Sequence, residues 1–110
     1  MSTDTIRRAA AAMRERAEAA TPGTWMPDPD EEVGTAEVII EEYECHEVAR
    51  ISCDFGTDAA HIASWHPAVA LAVADWLEVV AGYGEPQPGH GTRNFDAALV
   101  AARAYLGEDA

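Results

Sequence analysis

Thr21-Pro22-Gly23 constrains the fold of this chain more than any other stretch. Proline disfavours helical geometry in the residue before it, and glycine tolerates a backbone conformation that other residues resist. An alanine-rich helix arriving from the amino terminus must therefore stop here, and the turn delivers Trp25 into the body of the protein as a core side chain. Ser2, Thr3 or Asp4 can cap that helix, over residues 1–21, and its inward face runs Ile6, Ala9, Ala10, Met13, Ala17 and Ala20.

Beyond the break, residues 22–57 read as a turn and a β-hairpin. Pro27 to Gly34, with two prolines and four acids, reads as an exposed loop. Ala36 to Tyr43 alternates as a strand with Val38 and Ile40 on one side, and Val48 to Cys53 follows as a second, placing Ala49 and Ile51 on one face. The turn between them is expected around Glu44 to His46. A lone hairpin is marginal in water, and Trp25 with its neighbours can supply a third, edge strand.

Residues 58–81 read as a helix pair. Thr57 or Asp58 caps a short helix to about Ser64, and Pro67 suits the first position of the next, where its missing N–H is no loss. Val69, Val73, Trp76, Leu77 and Val80 give this second helix a broad apolar stripe, expected to lie across the sheet. Gly82 and Gly84 end it. A loop over 82–93 leads to a last helix over 94–106, striped by Phe95, Leu99, Ala102 and Leu106. The expected fold is α+β: a small antiparallel sheet of two or three strands with an N-terminal helix and two to three C-terminal helices on one face. Its core comprises Trp25, Val38, Ile40, Ile51, Ile62, Val69, Val73, Trp76, Leu77, Val80, Phe95 and Leu99.

The 110 residues suit one domain with a single modest core, and 48% hydrophobic against 25% charged residues is the composition of a folding chain. No apolar run approaches the roughly 18 residues of a membrane span, and the start lacks a signal-peptide apolar segment, so a cytoplasmic location and no membrane partner are expected. Cys45 and Cys53 lack the density of a secreted disulfide scaffold, and reduced thiols are expected. Every basic side chain is one of seven arginines, with no lysine, the mark of a GC-rich genome.

Twenty acids against seven bases give a formal charge of −13, which opposes direct binding to nucleic acid or anionic membranes. Asp28 to Glu47 holds nine acids and no arginine, whereas Arg7, Arg8, Arg14 and Arg16 gather on the first helix.

No catalytic constellation emerges. Cys45, His46, Cys53 and His61 could donate to a metal, but the compact pairings of a zinc knuckle are missing, and Cys45 and His46 as strand neighbours point to opposite faces. His61, three residues after Asp58, reads as a helix-end hydrogen-bonding residue. Ser52, Cys53 and Ser64 have no nucleophile motif around them. The acids from Glu37 to Glu47 lack the apolar pocket that raises a working pKa, and Gly82-Tyr83-Gly84 and Gly89-His90-Gly91 do not follow strands as a phosphate loop would. No catalytic residue, metal or cofactor is assigned, and no enzyme is expected.

Thr21-Pro22-Gly23 with Trp25, followed by Asp58-Ala59-Ala60-His61-Ile62-Ala63 and the Trp65-His66-Pro67 break, resembles the Ead/Ea22-like small proteins of bacteriophages, especially those of actinobacterial phages. The resemblance covers roughly residues 5 to 81, and the last helix has no counterpart in it. Thr24 stands where the family usually has a second proline, and Trp65 where it is mostly smaller or polar, so an exposed Trp65 would signal a contact surface. The family has no established activity, and the resemblance implies an accessory role in the cytoplasm of a bacterial host.

Two functions follow as expectations. In the first, the protein acts by non-catalytic binding of a host protein, with Trp65, Trp76, Tyr83 and Tyr105 as aromatic anchors, His66 beside them, and Glu37, Glu41, Glu42 and Glu44 as an orienting acidic rim. In the alternative, those acids mimic nucleic-acid phosphates and occupy the basic cleft of a DNA-binding protein or nuclease. A homodimer through the C-terminal helix is a third arrangement open to the sequence.

Overall fold

The computed structural model describes residues 2–30, 34–40, 43–52, 57–87, 89 and 91–108, with the side chains of residues 43–46 and 52 outside the description. Its elements in chain order are α1 (Ser2–Ala19), β1 (Trp25–Asp30), β2 (Thr35–Ile40), β3 (Tyr43–Ser52), α2 (Thr57–Ser64), α3 (Pro67–Gly82) and α4 (Thr92–Leu106). The class is α+β, as the patterning implies. The residues fall into two compact units, one formed by those up to Arg16 and from Leu71 onward, the other by Ala17–Ala70, with the divisions inside α1 and α3.

The first unit is a helical layer held by small side chains. Ile6, Ala9, Ala10 and Met13 of α1 meet Ala74, Leu77, Val80 and Ala81 of α3 and Phe95, Ala98 and Ala102 of α4 in one buried cluster. Alanines make up much of this cluster, and a few large residues such as Ile6 and Leu77, both fully buried, fill the rest. Burying a side chain of that size contributes about 1.5–3 kcal/mol. Arginines from α1 close the rim: Arg14 hydrogen-bonds Asp75 and, at 3.1 Å, Glu78, while Arg8 grips Glu108 with two bonds of 2.9 Å. Glu108 is delivered to Arg8 by the end of α4. There Gly107 turns left-handed at φ 72°, its N–H reaching Ala104 and the Glu108 N–H reaching the Arg103 carbonyl, a Schellman stop that glycine alone makes without strain.

The second unit is an antiparallel sheet in the order β1-β2-β3. Trp25 pairs with Ile40 and Pro27 with Val38, while Val38 pairs across the other side with Ala49. Ala36, Val38 and Ile40 alternate to the buried side of β2. Ala36 and Val38 cluster with Ala59 and Ala63 of α2, and Trp25, Ala49, Ile51 and Ile62 pack around them. Trp25 also fixes the turn that precedes it, its indole N–H donating to the Thr21 carbonyl at 3.0 Å while Gly23 takes φ 117°. The tryptophan and the Thr-Pro-Gly break thus form one local device that starts the sheet.

Several expectations change. Leu77 and Val80 of the α3 stripe pack with α1 and α4, and Ala59 and Ala63 of α2 pack with Ala36 and Val38 of the sheet. Among the described residues, the buried side chains form two clusters where one core was expected. Val38, Ile40, Leu77, Val80 and Phe95 are buried, Trp25, Ile51, Ile62, Val69, Val73 and Leu99 are half-buried, but Trp76 is exposed. Asp28 to Asp30 belong to β1 and not to a loop; proline lacks a ladder donor, and Pro27 and Pro29 are accommodated because β1 is an edge strand. The hairpin closes earlier than expected, with Ile40 opposite Tyr43, and residues 44–46 lie within β3 where the register shifts. α4 begins at Thr92, two residues before Asn94.

Candidate interaction surface

α3 places the most unusual surface of the molecule. Pro67 opens the helix without loss of a backbone bond, and the His66 carbonyl accepts the N–H groups of Val69 at 3.0 Å and Ala70 at 3.2 Å. From Leu71 onward, Ala74, Leu77, Val80 and Ala81 face the helical core. The opposite side carries Ala72, Trp76, Val79 and, just past the helix end, Tyr83, all exposed. Their fractional exposures rise along the strip, 36% for Trp76, 57% for Val79 and 86% for Tyr83. Trp76 is steadied by a long contact of 3.4 Å from its indole N–H to the Asn94 side-chain oxygen.

Where the strip ends, the chain leaves a cleft of about 200 Å³ whose walls include Tyr83, Pro86, Asn94 and Phe95. Asp75 and Glu78 border the strip and are the only charged residues of α3. Both hydrogen-bond Arg14, first Asp75 and then Glu78, and these bonds raise the pKa of its guanidinium above the usual value.

In the sheet unit, Trp65 follows the last turn of α2, its N–H donating to the Ile62 carbonyl at 3.1 Å, and its ring is 42% exposed. His66 is half-buried, and its Nδ1 is buried without a hydrogen-bond partner. His61 gives its carbonyl to the Ser64 hydroxyl at 2.6 Å, a local helix-end bond. Glu37 is half-buried and bound to Arg50 at 2.8 Å, with Glu47 on the same guanidinium at 3.2 Å. Asp28, Glu37 and Arg50 are neighbours across the three strands. Hydrogen bonding to Glu37, and then the charge of Glu47, raises the Arg50 pKa. Glu41, Glu42, Cys53 and His90 lie outside the described residues, as do the side chains of Glu44, Cys45 and His46.

Tyr105 is half-buried, packed against the helical core with the Arg16 guanidinium 5.3 Å from its ring, and so is not an anchor left for a partner. Trp76 and Val79 are the surface residues that core-oriented reasoning misplaces or overlooks. The signal was present: counting from Ala72 in steps of four, three and four residues reaches Trp76, Val79 and Tyr83, a second stripe beside the first. Among the described residues, no three His, Cys, Asp or Glu side chains converge as a metal site, and no helix is long and apolar enough to cross a membrane.

No curated protein and no solved structure matches the chain significantly. The model of the family described as Ead/Ea22-like protein matches residues 6–97, well over half of the chain. That span runs through the loop after α3 and into α4, beyond the limit near residue 81 expected from the motifs, so the start of the last helix has a counterpart in the family after all. The chain belongs to the Ead/Ea22-like family.

Proposed function

We propose that this protein is a phage accessory protein that acts without catalysis, by binding a protein in the cytoplasm of its bacterial host. The observation that carries this reading is the exposure of aromatic side chains on the outer strip of α3, with Trp76 and Tyr83 flanking Val79. Single exposed apolar residues are ordinary, but several aligned on one element make a patch of the kind that marks contact sites. Tryptophan and tyrosine are also the side chains that most often dominate binding energy when a partner desolvates them. The family membership supports the phage setting. Trp65, exposed on the sheet unit, supports the same mode of action.

Capture from lysate of a candidate actinobacterial host tests the reading. The tagged wild-type chain should retain one partner in stoichiometric amount through a high-salt wash, and Trp65→Ala, Trp76→Ala and Tyr83→Ala should each be compared with it after circular dichroism shows the fold intact. A partner that leaves as salt rises, and is lost when Glu37, Glu41, Glu42 and Glu44 are changed to glutamine, would instead establish acidic mimicry of nucleic acid. Retention of nothing by the folded wild type would remove both.

A further inference from the structure

α3 is apolar on two sides, and among the described residues only one of them is covered. The inner side closes the helical core through Ala74, Leu77 and Val80. The outer side presents Ala72, Trp76, Val79 and Tyr83, a four-three-four spacing that returns to one side of a helix as a coiled-coil seam does. Resting on the binding reading above, we infer that this outer strip is the docking site for an amphipathic helix of the partner, with apolar residues at matching intervals and lysine or arginine on its flanks.

The spacing selects a helix. Ala72 to Tyr83 spans eleven steps, about 16 Å at the helical rise, and offers contact points about one turn apart, the repeat of another helix's apolar stripe. The cleft beyond Tyr83, walled also by Pro86, Asn94 and Phe95, receives one apolar side chain at the end of the seam.

Charge selects the flanks. α3 has no basic residue, and the carboxylates bordering the strip remain accessible although Arg14 holds them, with 67% of the Asp75 side chain and 49% of Glu78 exposed. The chain as a whole carries −13, which draws a basic helix in and repels a second copy of itself.

Two synthetic peptides test the proposal on the full chain, one with leucine at the seam positions and lysine on the flanks, the other with glutamate replacing lysine. The lysine peptide should bind saturably and shift the Trp76 indole N–H resonance. The glutamate peptide, and the lysine peptide with Trp76→Asp, should each bind at least about ten-fold more weakly. Tyr83→Ser, at a site too exposed to affect folding, should weaken binding by a smaller factor in the same direction. Absence of binding by the lysine peptide, equal binding by both peptides, or indifference to both substitutions overturns the proposal. So does a doubled mass in light scattering that Trp76→Asp abolishes, which would give the strip to a second copy. If a host protein captured by the wild type is captured equally by Trp76→Asp and Tyr83→Ser, the binding reading stands and this assignment of its surface falls.

Discussion

The two units of the chain solve the same problem with opposite means. Residues 17–70 carry twelve acids and a single arginine, Arg50, whereas the remaining residues carry eight acids and six arginines. The helical unit spends its arginines on tying elements together, through Arg8 with Glu108, Arg14 with Asp75 and Glu78, and Arg16 over Tyr105. The sheet unit has a small alanine-valine cluster and one arginine shared by Glu37 and Glu47. Its packing rests on that cluster, on the Trp25 turn and on α2. The difference teaches that most of the excess acid lies in the unit without the α3 strip, and that the strip's own charged neighbours are Asp75 and Glu78.

Breaking the larger core should have the largest effect. Leu77→Ala leaves a cavity where a fully buried side chain meets two other helices, at a cost of about 2–5 kcal/mol, and chemical denaturation should register most of the chain's stability lost. Hydrogen exchange would sharpen the contrast: amides of α1, α3 and α4 should outlast those of β1 to β3.

Trp25→Phe keeps an aromatic ring but removes the donor to the Thr21 carbonyl, and should cost about 0.5–1.5 kcal/mol, felt in the sheet unit. Added salt should stabilise that unit by screening its acids, and the helical unit should respond little because its ion pairs are exposed and weak. Arg50→Ala should destabilise the sheet modestly and enlarge this salt response; an unchanged response would show that the acids there do not repel appreciably.

The smallest effect is a pH dependence at the end of α4. Hydrogen bonding to Arg8 holds the Glu108 carboxyl below its ordinary value, so its contribution is complete above that ordinary value and is lost as pH falls through the lower, folded one. Carboxyl-resolved NMR titration should find that depression in the wild type and its disappearance in Arg8→Ala.

Much of this fold was legible in the residues, and what was hidden has identifiable causes. The Thr21-Pro22-Gly23 stop, the start of α3 at Pro67 and the alternation of β2 follow from local chemistry that acts wherever the chain goes. β1 was obscured because two prolines and four acids read as a loop unless an edge position is known. The hairpin turn was misplaced because residues 40–46 contain no glycine, asparagine or proline to mark it. Periodicity identifies Leu77 and Val80 as buried but does not say against what; Ile6, Ala9, Ala10 and Met13 of α1 and Phe95, Ala98 and Ala102 of α4 supply the surface. The same reading places Trp76 both in the core stripe and among the aromatic anchors, and it passes over Val79, so the second stripe of α3 stays unrecognised. Trp65 and Tyr83 are named by the sequence as candidate anchors, but the exposure of Trp65 comes from the structure; of the acidic rim, Glu37 is described and the side chains of Glu41, Glu42 and Glu44 lie outside the described residues.

The most direct test of the account is the affinity of the captured host protein for the wild-type chain and for Trp76→Ala, measured at low and at high salt. An aromatic-led contact with basic flanks predicts an affinity that salt lowers only in part and that the substitution lowers at least about ten-fold at either salt concentration, the range of a dominant binding residue. An affinity that collapses with salt and ignores Trp76 would contradict it.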